Sequence, residues 1–164
     1  MRSNRAAELA ELSLEEQQER AWAKVLRSAS AYEQSSARMH AKLAAAGFAP
    51  DIVAFALEKA QRLGVIDDTR YAECLVRSTA SAGKGMELIK REIRGLGLCI
   101  DDLEAYQEYL EAGEDAQIDA AVDLLTRYPT RAKDKRAAGL RKLISKGYSM
   151  PVASRAVAIW SDGV

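Results

Sequence analysis

The chain reads as an all-α protein of three tandem three-helix repeats, units of helix-turn-helix type. Lys42-Leu43-Ala44-Ala45-Ala46-Gly47-Phe48 returns fifty residues later as Glu92-Ile93-Arg94-Gly95-Leu96-Gly97-Leu98, and again as Lys142-Leu143-Ile144-Ser145-Lys146-Gly147-Tyr148. Trp22-Ala23-Lys24-Val25-Leu26-Arg27 is echoed in the same register by Ala72-Glu73-Cys74-Leu75-Val76-Arg77 and Val122-Asp123-Leu124-Leu125-Thr126-Arg127. A fixed period of this size marks tandem supersecondary units. Charged residues make up 29% of the chain and aromatic ones 6%, a mix suited to solvated helices rather than to sheets. No segment alternates apolar and polar residues as a half-buried strand would.

The divisions follow from the period: a flexible N-terminal extension over 1–12, then repeats over 13–66, 67–113 and 114–164. Each repeat opens with a helix carrying an apolar pair, Val25-Leu26, Leu75-Val76 or Leu124-Leu125. Ser13-Leu14-Glu15-Glu16 has the spacing of a capping box, and Asp67-Asp68 marks the start of the second repeat. The middle helices carry inward stripes, Met39, Leu43 and Ala46, then Ile89, Ile93 and Leu96, then Leu140, Leu143 and Ile144. Gly47, Gly97 and Gly147 end them, each followed by an apolar residue that folds back on the last turn. The third helices present Val53, Ala56 and Ala60, then Leu103, Tyr106 and Leu110, then Ala153, Ala156 and Trp160. Small residues in one copy stand where large ones stand in another, as compensation of volume in a close-packed core requires. Pro50-Asp51, Ile100-Asp101 and Ser149-Met150-Pro151 supply caps, early carboxylates or a first-turn proline.

The residues that could carry chemistry do not assemble into a catalytic set. His40 is the single histidine and has no ligand at metal spacing. Asp67-Asp68 reads as helix capping rather than as a carboxylate pair for acid–base work. Gly83-Lys84-Gly85 lacks the following Ser or Thr and the preceding strand of a phosphate loop. Trp22, Tyr71 and Trp160 fall at apolar positions and read as core. Cys74 and Cys99 have no CxxC partner and are expected to be buried thiols in a reducing compartment. No apolar run is long enough for a membrane helix, and the first residues lack the apolar core of a signal peptide. The expectation is a cytoplasmic, monomeric, non-enzymatic protein with no cofactor and no metal.

Charge is balanced in number, 24 basic against 24 acidic residues, but segregated along the chain. From Asp101 to Thr126 there are nine acidic residues and no Lys or Arg; from Arg127 to Lys146 there are eight basic residues and one acid. A weaker basic cluster surrounds the middle helix of the second repeat. Lys84, Lys90, Arg91, Arg94, Arg131, Lys135, Arg141 and Lys142 are therefore the candidate partner-binding residues, facing an acidic protein or a phosphate backbone.

Gly64-Val65-Ile66-Asp67-Asp68-Thr69-Arg70-Tyr71-Ala72 resembles the G-x-[IL]-D-D-x-R-[FY]-A signature of the bacterial RecX regulatory proteins. Lys84-Gly85, Ile89, Glu92-Ile93 and Gly97-Leu98 continue the resemblance, as do Lys142 to Tyr148 with Val152 and Val157; it spans roughly Ala21 to Trp160. It implies an elongated, curved body of three-helix repeats that lodges in the groove of the RecA recombinase filament on single-stranded DNA. It further implies repression of ATPase, strand exchange and coprotease activity, within DNA repair and the SOS response, with direct DNA binding in some members. One departure is local: the basic residues that members commonly carry before the serines of the first middle helix are replaced here by Glu33-Gln34. Two other functions fit helical repeats, a DNA-binding transcriptional module and an adaptor for an unrelated protein. The first would need Arg, Asn or Gln on a recognition helix, whereas the helices after each glycine are apolar or acidic.

Overall fold

The computed structural model describes residues 7–162, and every regular element in them is helical. Nine α-helices of eight residues or more follow one another among the described residues. They are α1 (Leu14–Ala29), α2 (Ser36–Ala45), α3 (Pro50–Arg62), α4 (Asp68–Ser81) and α5 (Glu87–Gly95), then α6 (Glu104–Glu111), α7 (Gly113–Arg127), α8 (Lys135–Ser145) and α9 (Met150–Asp162). Residues 7–10 form a further helical turn that buries Leu9; residues 1–6 of the expected extension lie outside the described residues.

The chain divides into two compact units, Met1–Tyr71 and Ala72–Val164, with the boundary inside α4. In the first unit α3 packs on both α1 and α2. Ala21, Val25, Met39, Leu43, Val53 and Ala56 meet in its core, each 2% exposed or less. Burying one such Val, Leu or Met side chain contributes about 1.5–3 kcal/mol, so this face holds the three helices together. The second unit has two apolar clusters. Ala72, Val76, Ile89, Ile93, Leu103 and Tyr106 form one; Ala121, Leu125, Leu143, Ala153, Ala156 and Trp160 form the other, where α9 lies against α7 and α8.

Local signals act as their chemistry dictates. Ser13 and Glu16 close a full capping box at α1, with the Ser13 N–H donating to the Glu16 carboxylate at 2.9 Å and the Glu16 N–H to Ser13 Oγ at 3.3 Å. Gly47, Gly97 and Gly147 sit at φ of 93, 78 and 88°, a region closed to most side chains. The next residue's N–H, from Phe48, Leu98 or Tyr148, then reaches back to the carbonyl of Leu43, Ile93 or Leu143 at 3.3, 3.3 and 3.1 Å. These bonds satisfy carbonyls that the helix end would otherwise leave unpaired.

Three expectations need correction. Leu110 and Ile144 are exposed, at 43 and 38%, because each lies beside the buried stripe of its helix rather than on it. Ile144 follows the buried Leu143, and one residue on a helix turns about 100° away from its neighbour. Cys74 and Cys99 are exposed rather than buried: Cys74 lies off the face of α4 defined by Ala72 and Val76, and Cys99 sits in the loop after α5, its thiol donating to Asp101 Oδ2 at 3.6 Å. The start expected at Asp101 is a short 3-10 turn, Ile100–Asp102, and α6 begins at Glu104.

Candidate functional site

The signature stretch around Asp67 and Asp68 is a structural joint. Asp67 Oδ1 accepts the Arg70 N–H at 3.0 Å and caps α4. Asp68 turns the other way: its carboxylate accepts the backbone N–H of Ser36 at 2.7 Å and the Ser36 hydroxyl at 2.5 Å, capping α2 from 32 residues away. Arg70 donates to Glu33 at 2.8 Å and to the Gly64 carbonyl at 3.2 Å, gathering the end of α3. Ser35, 1% exposed, caps α2 through the Arg38 N–H at 3.2 Å. The two serines are thus retained for capping although the basic residues before them are not. Glu73 does the same service in the second unit, accepting the N–H groups of Glu104 and Ala105 at 2.8 Å each.

Five of the nine carboxylates of the acidic block pair locally, and not with the candidate cations. Arg77 lies 3.7 Å from Glu73, 4.0 Å from Glu104 and 3.6 Å from Glu108. Arg127 pairs with Asp123 at 2.5 Å, and Arg155 with Glu114 at 2.5 Å and Asp115 at 3.7 Å.

The eight candidate residues separate into two groups. Two are engaged. Lys90 pairs with Glu87 one turn earlier, and that carboxylate holds its ammonium above the ordinary range, with the Tyr106 hydroxyl adding to the effect. Lys142 donates to the Tyr128 carbonyl at the end of α7 and stands 5.7 Å from the centre of the Tyr128 ring, which is 65% exposed. The other six, Lys84, Arg91, Arg94, Arg131, Lys135 and Arg141, are exposed and make no side-chain hydrogen bond or ion pair among the described residues.

The eight do not share one cleft. Lys90 and Arg94, four residues apart on α5, line a cavity of about 200 Å³ with Leu98, Cys99, Ile100 and Asp101. Lys135 borders another of about 450 Å³ with Thr126, Pro129, Thr130, Ile159 and Trp160. Lys84 borders a third of about 170 Å³ beside Tyr109 and Tyr148. Arg131 lies in the loop between α7 and α8. The arrangement suits contact spread along an extended anionic surface rather than capture of one small ligand. No group of His, Cys, Asp and Glu among the described residues is placed to hold a metal ion, and no helix there is long and apolar enough to cross a membrane.

Sequence reasoning missed one feature of this unit. Gly85 N–H donates to the Lys146 carbonyl at 3.0 Å, Glu87 N–H to the Gly147 carbonyl at 3.0 Å, and Tyr148 Oη to the Gly83 carbonyl at 2.7 Å. A Cβ on Gly85 would stand 2.0 Å from the Gly147 carbonyl oxygen. The loop carrying Lys84 is therefore pinned, backbone to backbone, to the end of α8. The only sequence signal was the pair of glycines, which carries no indication of its partner.

No family model matches the chain. It is 30% identical over 149 residues to the regulatory protein RecX of Mycobacterium avium, covering 85% of this chain and 84% of that protein. It is 32% identical to the RecX of Chromohalobacter salexigens, over 77% of this chain and 83% of that one. Among solved structures, RecX from Lactobacillus salivarius superposes with a TM-score of 0.62 at 20% identity, over 90% of this chain and 99% of that chain. A second RecX crystal structure gives a TM-score of 0.63 at 24% identity, over 89% and 72%. The helical fold, the signature joint and relatives of this identity over most of their length agree, and the chain belongs to the RecX family of regulatory proteins.

Proposed function

We propose that this protein binds the filament that RecA recombinase forms on single-stranded DNA and inhibits its ATPase, strand-exchange and coprotease activities, acting in the cytoplasm during DNA repair. Membership of the family supplies the partner class. The observation that carries the reading is the division of charge in the second unit. Five carboxylates of the acidic block, Glu104, Glu108, Glu114, Asp115 and Asp123, pair with Arg77, Arg127 and Arg155, while Lys84, Arg91, Arg94, Arg131, Lys135 and Arg141 stand unpaired at the surface. Six exposed cations spread over two helices and their loops suit a partner that repeats its charge along its length. Several modest contacts then add to a useful affinity, each worth little alone.

The test is RecA's ATPase on single-stranded DNA with increasing amounts of the protein. The wild-type chain lowers the rate; a variant with Arg91, Arg94, Lys135 and Arg141 changed to Glu loses most of the effect while its helical content stays unchanged. Full inhibition by that variant would remove the basic surface from the mechanism.

A further inference from the structure

The first unit holds a basic groove that the charge pattern does not announce, and it arises from a difference among the three aligned first helices. Arg27, Arg77 and Arg127 occupy one register of the fifty-residue repeat. Arg77 and Arg127 each pair with an acid four residues earlier, Glu73 and Asp123. The matching position before Arg27 is Ala23, so no carboxylate stands there. Lys24 likewise replaces Cys74 and the half-buried Leu124. Arg20, at the head of the same stripe, has Glu16 one turn earlier; that carboxylate is held in the capping box with Ser13 and feels the Arg20 charge without an ion-pair contact.

Arg20, Lys24 and Arg27 are spaced by four and three residues and share one face of α1. None makes a side-chain hydrogen bond or ion pair among the described residues. All three line a groove of about 360 Å³, with apolar lining from Leu9, Ala46 and the half-buried Phe48, and Glu8 as the one acid among the described lining residues. From Arg20 to Arg27 the helix rises about 10 Å, at ~1.5 Å per residue.

We infer that this groove is a binding site for single-stranded nucleic acid, with Arg20, Lys24 and Arg27 on successive phosphates and Phe48 against a base. A run of cations over this length matches a polymer that repeats its charge within a few ångströms; the strand spacing in DNA is ~3.4 Å per phosphate. The apolar lining selects among polyanions. Single strands expose unstacked base faces that an aromatic ring can cover, whereas a duplex hides them. The site does not depend on the cations of α5 and α8, which belong to the other unit.

The experiment is fluorescence anisotropy of a labelled oligothymidylate with the full chain and no recombinase, at several salt concentrations. The variant changes Arg20, Lys24 and Arg27 to Gln together; a matched control changes three cations outside the groove, Arg38, Lys59 and Arg62, to Gln. With three phosphate contacts, the slope of log affinity against log salt falls by about 2 in magnitude, and affinity at moderate salt weakens on the order of tenfold. The control retains the wild-type slope. An unchanged slope in the groove variant, or an equal fall in both variants, overturns the inference. So does loss of filament binding by the groove variant with oligonucleotide binding intact, which would assign the groove to an acidic protein surface.

Discussion

Two joints in this molecule do the same job with different materials. In the first unit, Asp67, Asp68 and Arg70 tie the end of α3 and the starts of α2 and α4 together through side chains. In the second unit, residues 83–87 are tied to the end of α8 through backbone groups alone, apart from the Tyr148 hydroxyl. A side-chain joint tolerates a change of residue at the cost of its hydrogen bonds. A backbone joint has no room for a Cβ, so its tolerance is set by steric contact.

The sharpest test of that difference uses glycines in the same turn. Gly97 and Gly147 share the left-handed conformation, but a Cβ on Gly97 meets nothing within 4 Å, whereas one on Gly147 would lie 2.4 Å from the Gly85 carbonyl oxygen and 2.5 Å from Leu88 Cγ. Gly97→Ala is expected to cost about 1 kcal/mol, the conformational term alone. Gly147→Ala adds overpacking against backbone and should cost about 3 kcal/mol or more, read from denaturant midpoints. Equal losses would mean that the second joint yields to a side chain and the comparison is wrong.

A smaller effect is expected at the side-chain joint. Asp68→Ala removes the acceptor of two hydrogen bonds from Ser36 and leaves the first turn of α2 short of a partner. The cost is about 2 kcal/mol by the same measurement. Ser36→Ala removes only the hydroxyl partner and should cost less, since the backbone N–H of residue 36 still reaches Asp68.

The last effect is confined to alkaline pH and is absent at neutral pH. Burial first, and then the negative charge of Tyr109 and Asp123 nearby, push the Tyr148 phenol up to about 12. An unfolded tyrosine ionises near 10, so between about pH 10 and 12 the unfolded chain releases a proton that the folded chain keeps. Stability from this group is complete below pH 10 and declines as pH rises through that window. Tyr148→Phe should flatten the decline over that range while also removing the bond to the Gly83 carbonyl. An unaltered pH dependence in the variant would detach Tyr148 from the joint's stability.

Much of the fold was legible because its signals are local. Positive-φ glycines, caps and apolar spacing act within one turn of helix, and Gly47, Gly97 and Gly147 behave alike. The errors at Leu110, Ile144 and Cys74 have a common cause; Cys99 is exposed because it lies in a loop rather than on a helix. Periodicity finds a stripe, but only the neighbouring element determines how wide a stripe it covers. The candidate cations were found as a composition, and the sequence could not show that Lys90 and Lys142 are engaged at home. The α1 groove was missed because Arg20, Lys24 and Arg27 are diluted by Glu15, Glu16 and Glu19 in sequence, while on the helix only one face matters.

By itself the sequence determined the helices, most of their ends and the fifty-residue period of its pattern, since each depends on residues within a turn or on a period that alignment exposes. Tertiary structure alone decided which distant groups meet and where two backbones touch. Ser36 with Asp68 and Gly83 with Tyr148 join groups 32 and 65 residues apart, beyond the reach of any local signal. The sequence repeats one pattern of apolar positions and glycines; pairing across the folded surface is what makes the copies different.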